Sequence, residues 1–378
     1  MAVLNVAPSS GLDSNVFTSM VDSDYEQIMY CQHRASGLRA IIAIHNTTLG
    51  PALGGIRMRP YLSEQEALVD VIRLSRAMTY KSALAGLDLG GGKAVIVGGP
   101  EQKSEALFRA MGQFIQSLGG RYIAATDVGT TSEDLAYVRM ETPWVTGIPE
   151  AWGGLGDTSV LTGLTVYLGM KAGAEAAWGT DSLAGKRVLV QGAGKVGVHL
   201  MENLQREGAV LLVSDVDGAA VQRAAERFNA TIVPSDQVFD AQCDVFSPNA
   251  LGNVLNDDTI PRLRCRLVCG GANNQLGDER HGEELHRRGI IYAPDYAVNS
   301  GGVISAECEI RHAPRARAEA IAARVGTTMR RVFQLARQEG LAPSEAADRL
   351  AEERLDKLAG VHRRYIAADA RHHRDLLP

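Results

Sequence analysis

Apolar residues along this chain fall into two alternating rhythms: short runs bounded by glycine or proline, and longer stretches at helical spacing. Leu38–His45 is the first such run and predicts a strand. Ser63 opens SerGluGlnGlu, in which Glu66 completes a capping box for a helix start. Leu68, Val71, Ile72, Ser75 and Met78 follow on one helical face, so this helix delivers Lys81 from its C-terminal end. Between strand and helix, Thr47–Met58 reads as a loop punctuated by Gly50–Pro51 and Gly54–Gly55, where bare backbone N–H groups could face a ligand. Gly90–Gly92 run into Lys93 and the apolar Ala94–Val97, predicting a tight turn, a buried strand and a lysine confined between them. A helix over about 104–118 leads through Gly119–Gly120 to a strand at Arg121–Ala125. That strand ends in ThrAspValGly, which places Asp127 where a strand leaves its sheet, a usual address for catalytic side chains in α/β folds. Thr131 and Asp134 form the capping box of the helix beyond.

Gly147–Thr158 is rich in glycine and proline, lacks periodicity, and marks the best domain boundary. After a helix over about 160–177, the strand in Lys186–Leu200 runs directly into Gly192, Gly194 and Gly197, spaced as GlyXxxGlyXxxXxxGly. A second strand, Val210–Ser214, ends at Asp215, 23 residues after Gly192. Strand, glycine turn, helix and distal acid together form the dinucleotide-binding fingerprint, with pyrophosphate at the helix N-terminus and the acid on a ribose. Further strands are predicted at Ala230–Val233, Asp244–Phe246, Arg266–Cys269 and Gly289–Ala293, completing a doubly wound parallel sheet. The polar loops Gly270–Leu276 and Pro294–Val303 follow strand ends, so Asn273, Asn274 and Asn299 are candidates for amide contacts, with caps and Asx-turns as the plain alternative. From Arg315 the chain is helical, with a break near Gly340–Pro343 and a last helix over about 345–358.

A length of 378 residues suits two domains, drawn at 1–148 and 149–339. A net charge of −5 argues against a nucleic-acid binder, and no apolar run is long enough to span a bilayer. The N-terminus lacks a basic region followed by an apolar core, so no secretion signal is read and a cytoplasmic protein is expected. Residues 1–23 are small and polar and predict a loose arm. Cys31, Cys243, Cys265, Cys269 and Cys308 read as reduced, buried thiols, and the His372–His373 pair lies in a polar tail. No metal site is indicated.

Lys81 and Lys93, twelve residues apart, suggest a site that binds an anion with one ammonium and does acid–base work with the other; two surface lysines beside a turn are the plain alternative. A lysine crowded by a second ammonium would have a lowered pKa. The motifs ProAlaLeuGlyGly (51–55), MetThrTyrLys (78–81), GlyGlyGlyLysAlaValIle (90–96), AspValGly (127–129), GlyGlyAlaAsnAsnGlnLeu (270–276) and AlaProAspTyr (293–296) occur in this order. With them the chain, from about Tyr25 to Leu358, resembles amino-acid dehydrogenases of the glutamate/leucine/phenylalanine/valine family, and within it the leucine and valine enzymes.

The resemblance implies an N-terminal mixed-sheet α/β substrate domain and a C-terminal Rossmann domain, with a cleft between them and residues 340–378 returning to the first. It implies reversible, NAD-dependent oxidative deamination of a branched-chain L-amino acid to its 2-oxo acid and ammonia, in a homo-oligomer. Lys81 matches the lysine on the substrate carboxylate. Lys93 matches the lysine that polarises the keto group and helps activate water, and Asp127 the acid that exchanges a proton with the amine. Gly54, Gly55 and Asn274 would border the substrate, while Leu53, Ala125, Val303 and Ala306 would line an apolar side-chain pocket. Thr162, Asn273, Asn299, Asp215 and the glycine loop (Gly192, Ala193, Gly194, Lys195, Val196, Gly197) would hold the cofactor. Ser300 and Ala306 stand where the leucine and valine enzymes usually have Ala and Val. A pocket widened at Ala306 leaves a dehydrogenase of aromatic or other large apolar amino acids as the alternative. A nucleotide-binding regulatory protein without catalysis is the alternative of another class, and retention of Lys81, Lys93 and Asp127 together speaks against it.

Overall fold

The computed structural model describes Met20 and residues 24–361; the expected N-terminal arm and the His372–His373 pair lie outside the described residues. Of the described residues, a first unit takes those up to Thr79 and Leu89–Ile148, and a second takes Tyr80–Asp88 and those from Pro149 onward.

The first unit contains strands β1 (Gln27–His33), β2 (Leu38–Asn46), β3 (Ala52–Arg59), β4 (Gly90–Val97) and β5 (Tyr122–Thr126), with helices α1 (Glu64–Leu84), α2 (Glu105–Ser117) and α3 (Ser132–Arg139). Its sheet is mixed, in the order β1-β2-β4-β3-β5: β1 and β4 run antiparallel to β2, and β3 runs parallel to both β4 and β5. Strand β2 is apolar on both faces because both are covered. Leu38, Ala40, Ile42 and Ile44 pack with Phe108, Met111 and Leu135 from α2 and α3, and Ile41 and Ala43 pack with Leu68, Val71 and Ile72 of α1. Each such side chain contributes about 1.5–3 kcal/mol by leaving water.

Two predicted features change. The loop expected over 47–58 is largely strand β3, and the tight turn expected at Gly90–Gly92 is the start of β4. None of Gly54, Gly55, Gly90, Gly91 or Gly92 has a positive φ. These glycines serve close approach instead. A Cβ on Gly54 would lie 1.7 Å from the Gly92 carbonyl oxygen, and one on Gly91 would lie 2.1 Å from the Thr79 nitrogen of α1. The predicted start of α1 holds: the Glu66 N–H donates to Ser63 Oγ at 3.1 Å, although the Glu66 carboxylate reaches Leu62 N rather than Ser63 N, at 2.7 Å.

In the second unit α4 (Ser159–Trp178) precedes β6 (Arg187–Gln191), α5 (Lys195–Glu207), β7 (Val210–Ser214), α6 (Gly218–Phe228), β8 (Thr231–Ile232), β9 (Val245–Pro248), β10 (Leu267–Val268), α7 (Arg280–Arg287) and β11 (Ile291–Tyr292). Helices α8 (Asp295–Val298), α9 (Gly301–Ile310), α10 (Arg315–Ala322), α11 (Arg324–Glu339) and α12 (Pro343–Ala359) follow. All strand pairs are parallel, in the order β8-β7-β6-β9-β10-β11, so the chain reverses its progress across the sheet between β6 and β9. In such sheets ligands bind outside the carboxyl ends of the strands at that switch point. Helix α12, the described part of the C-terminal segment, touches the last turn of α1: Tyr80 Oη donates to Glu352 at 2.9 Å, and Arg354 donates to the Ala83 carbonyl at 2.9 Å. That turn groups with the second unit. The cysteines are free thiols, and no helix among the described residues is long and apolar enough to cross a membrane.

Candidate active site

In the first unit, three adjacent strands each supply one charged group. Asp127 directly follows β5, and Gly129, at φ +82°, turns the chain so tightly that a Cβ there would lie 1.8 Å from the Met58 carbonyl oxygen. The Asp127 N–H donates to Thr130 Oγ1 at 3.0 Å, and that hydroxyl donates to the Ile56 carbonyl at 2.8 Å. So pinned, Asp127 turns Oδ2 toward Lys93 Nζ of β4, at 3.1 Å, and accepts from Arg57 Nε of β3 at 2.8 Å. Gly55 makes the room, since a Cβ on it would lie 2.7 Å from Asp127 Cβ. Burial opposes the charge on Asp127, but Lys93 and Arg57 outweigh it and hold the carboxyl at about 2. What stands beside Lys93 is therefore this carboxylate, a partner the expectation of two crowded lysines did not include. Asp70 of α1 holds Arg57 Nη1 at 3.1 and 3.2 Å, and Tyr61 Oη donates to Asp70 Oδ2 at 2.7 Å.

Strand register puts Leu53, Gly55, Lys93 and Ala125 on one face, with Gly55 opposite Ala125. Gly54 faces the other way, and its carbonyl accepts the Tyr122 hydroxyl at 2.6 Å. The sequence reading missed Arg57 and Asp70. Reading 52–59 as a strand would have put Arg57 on the same face as Gly55, two residues on.

In the second unit, Lys81 is 9% exposed and donates to Asn273 Oδ1 at 3.1 Å. Asn299 Nδ2 donates to the same oxygen at 2.7 Å and to the Gly271 carbonyl at 3.2 Å, while its Oδ1 is buried without a partner among the described residues. Asn274 is exposed at φ +52° and its side chain stays outside this cluster. Asp295, inside the AlaProAspTyr motif but given no role from it, is buried. It accepts the Gln275 and Tyr296 N–H groups at 2.9 and 2.7 Å. Burial pushes its carboxyl above the ordinary range, against these N–H groups and the charge of Lys81.

The glycine loop at the end of β6 divides its labour. Gly192 takes φ +106°, open only to glycine without strain, and a Cβ on Gly197 would lie 2.0 Å from the Gly192 carbonyl oxygen. Gly194 differs from both: its φ is −74°, and a Cβ there would meet nothing within 4 Å. Neither backbone nor packing calls for glycine at 194. Its Cβ position, at the N-cap of α5, is open, and the chemistry of a helix N-terminus with that space beside it suits a dinucleotide pyrophosphate. Asp215 Oδ2 accepts the Ala193 N–H at 2.7 Å and Oδ1 the Asp217 N–H at 3.0 Å, which ties the end of β7 to this loop. Lys195 is exposed and pairs with Asp157 at 3.0 Å, and Val196 packs beside Gly271. Gln191 Oε1, one residue before the loop, is buried without a partner among the described residues. Asn249, at the end of β9, was missed by the sequence reading. Its Oδ1 accepts the Gly271 N–H at 2.8 Å.

Thr162 lies against the start of α9, where a Cβ on Gly301 would come within 2.3 Å of its nitrogen, and its hydroxyl donates to Thr158 O at 3.0 Å. Val303 and Ala306 stand one turn apart on α9, both buried. Ser300, the other departure from the expected pattern, is fully buried and donates to the Ala297 carbonyl at 3.1 Å, so its hydroxyl is used inside its own turn. Among the described residues no group of three or more His, Cys, Asp and Glu side chains could hold a metal ion.

The model of the Glu/Leu/Phe/Val dehydrogenase dimerisation domain matches residues 25–144, and that of Glutamate/Leucine/Phenylalanine/Valine dehydrogenase matches residues 220–355. The chain is 51% identical to the leucine dehydrogenase of Thermoactinomyces intermedius, over 91% of this chain and 94% of that one. It is 47% identical to the valine dehydrogenase of Streptomyces virginiae, over 91% and 98%. The solved structure of L-tryptophan dehydrogenase from Nostoc punctiforme superposes with a TM-score of 0.82 at 39% identity, covering 92% of this chain and 100% of that one.

Proposed function

Since this chain belongs to the glutamate/leucine/phenylalanine/valine dehydrogenase family and is an L-amino-acid dehydrogenase that works with a nicotinamide cofactor, we propose that it deaminates branched-chain L-amino acids oxidatively and reversibly, with NAD, to the 2-oxo acid and ammonia. The observation that carries the mechanism is the Lys93–Asp127–Arg57 constellation. In this reading residues 1–148 handle the substrate and 149–339 the cofactor, in a cytoplasmic homo-oligomer.

Lys81 anchors the substrate carboxylate, which fixes Cα and supplies the orientation the reaction needs. When bound, the nicotinamide accepts the hydride from Cα. Asp127 takes the proton of the substrate ammonium through Oδ1, the oxygen its two cations leave open. A carboxyl held at about 2 is a weak base while both cations are charged. After hydride loss, water adding to the imine carbon gives its proton to Lys93, and Asp127 returns the amine proton to the departing nitrogen, so the two groups exchange protons as a coupled pair. Lys93 also polarises the keto group in the reverse direction.

Leu53 and Ala125 of the first unit are apolar, as are Val303 and Ala306 of the second, so none of the four offers a cation to a distal carboxylate such as that of glutamate. Asp215 favours NAD, because a 2′-phosphate would set like charges together, and Lys195 is engaged by Asp157 rather than free to neutralise it. A second reading, aromatic or other large apolar substrates, is favoured by the two methyls missing at Ala306 and by the likeness to the tryptophan enzyme. NADH formation at alkaline pH from valine, leucine, phenylalanine, tryptophan and glutamate tests both. The branched-chain substrates are expected to lead in kcat/KM. An aromatic substrate ahead by about tenfold overturns the substrate assignment, and no NADH from any substrate overturns the enzymatic one.

A further inference from the structure

Building on the amino-acid dehydrogenase reading, we propose that Arg57 is a positioning residue for Asp127: it holds Oδ2 so that Oδ1 alone is presented to the substrate amine, and Asp70 holds Arg57 in turn.

The geometry gives each atom of this relay one task. Arg57 Nε reaches Asp127 Oδ2 at 2.8 Å, and its Nη1 reaches both Asp70 oxygens at 3.1 and 3.2 Å. One planar guanidinium thus spans two carboxylates, which a lysine ammonium, a point charge on a flexible stem, cannot do with fixed geometry. Its side chain is 13% exposed, equal to that of Asp127. Asp70 is locked by the Tyr61 hydroxyl at 2.7 Å, and Arg59 Nε stands 3.8 Å from it. Lys93 meets Oδ2 from the other strand at 3.1 Å, so both cations converge on one oxygen. Among the described residues no donor reaches Oδ1, and it is not sealed from solvent.

The charged and titratable groups facing Asp127 are Lys93 from β4, Arg57 from β3 and Tyr122 from β5. Of these only Lys93 and Arg57 carry positive charge, and Lys93 exchanges a proton with the water that adds to the reacting carbon, so its charge is not constant through the reaction. Arg57 keeps its proton at every working pH. It is the permanent cation that keeps the carboxyl ionised, and so open to the amine proton, in either protonation state of Lys93. An ordinary buried ion pair would stabilise the fold without setting either property.

Arg57→Gln, Arg57→Lys and Asp70→Asn in the full chain test this, with kcat, KM and NADH affinity measured across pH. Arg57→Gln is expected to lose about 100-fold in kcat, while KM for the amino acid and the NADH affinity stay within about threefold. Its acid limb should move up by about one pH unit or more. Arg57→Lys returns the charge without the fork, so it should restore the acid limb yet remain about tenfold slow. Asp70→Asn should fall between Arg57→Lys and wild type. An unchanged acid limb in Arg57→Gln overturns the proposal, as does wild-type kcat in Arg57→Lys, which also decides the matter if Arg57→Gln fails to fold. If the wild-type enzyme turns over no amino acid, the parent reading falls instead. Infrared difference spectra against Asp127→Asn then judge Arg57 alone. The protonated-carboxyl band of Asp127 should appear at higher pH in Arg57→Gln than in wild type, and the same pH in both would end the idea.

Discussion

The two units build their sites from opposite materials. In the first, strands β3, β4 and β5 bring the side chains of Arg57, Lys93 and Asp127 together largely out of water, where opposite charges offset the cost of burial. In the second, the loop proposed to hold the cofactor offers absence instead: a helix N-terminus and, at Gly194, open space where a Cβ would be. Glycine serves both, for different reasons. Gly55 clears space for a protein side chain, whereas Gly194 clears space that no atom of the described protein fills. A charge constellation fails when one partner is removed, and a backbone cradle fails when something is added.

Lys93→Ala should break the first site most severely, with turnover lost by more than about 1000-fold and NADH affinity, read by fluorescence titration, unchanged. Normal kcat would remove Lys93 from the chemistry. The glycine loop offers the reverse experiment. Gly197→Ala forces a Cβ to within 2.0 Å of a carbonyl oxygen and should cost about 3 kcal/mol in urea unfolding. Gly194→Ala should leave stability within about 0.5 kcal/mol and weaken NADH binding alone. Equal losses of stability in the two variants would erase the distinction drawn between them.

Asp215→Ala should narrow the NAD preference. Two unit charges at about 4 Å repel by roughly 4 kcal/mol at an effective dielectric near 20, which is an upper bound here. An unchanged ratio of kcat/KM for NAD and NADP would show that Asp215 only ties down the Ala193 N–H. Acid titration probes the first site without substrate. The folded pKa of Asp127 is about 2, below its ordinary 3.8. Its contribution, about 2 kcal/mol, is present in full above that ordinary value and lost as pH falls through about 2. Urea unfolding between pH 5 and pH 3 should therefore fall less steeply in Asp127→Asn than in wild type. The smallest effect is expected at the pocket: Ala306→Val should shift relative kcat/KM toward valine and away from tryptophan by about tenfold, a methylene-scale change.

Much of this protein could be read from the order of its residues. Alternating strand and helix rhythms and Ser63 and Thr131 as helix caps rest on interactions a few residues apart, and the fingerprint from Gly192 to Asp215 lies within one contiguous strand–helix–strand stretch, which local sequence specifies. Lys81, Lys93 and Asp127 stood out because each occupies an element end or a glycine-flanked strand. The glycines themselves were ambiguous. Gly54–Gly55 and Gly90–Gly92 look like turns in one dimension and are extended strand in three, because what excludes a Cβ there is a neighbouring strand or helix α1. Asp70 and Asp127 meet on Arg57 from positions 13 and 70 residues away, and no periodicity encodes such a meeting. Which oxygen of Asp127 is occupied, and which is left for a substrate, was decided only when β3, β4 and β5 paired in register, because hydrogen bonds and desolvated charges act over a few ångströms of space rather than along the chain.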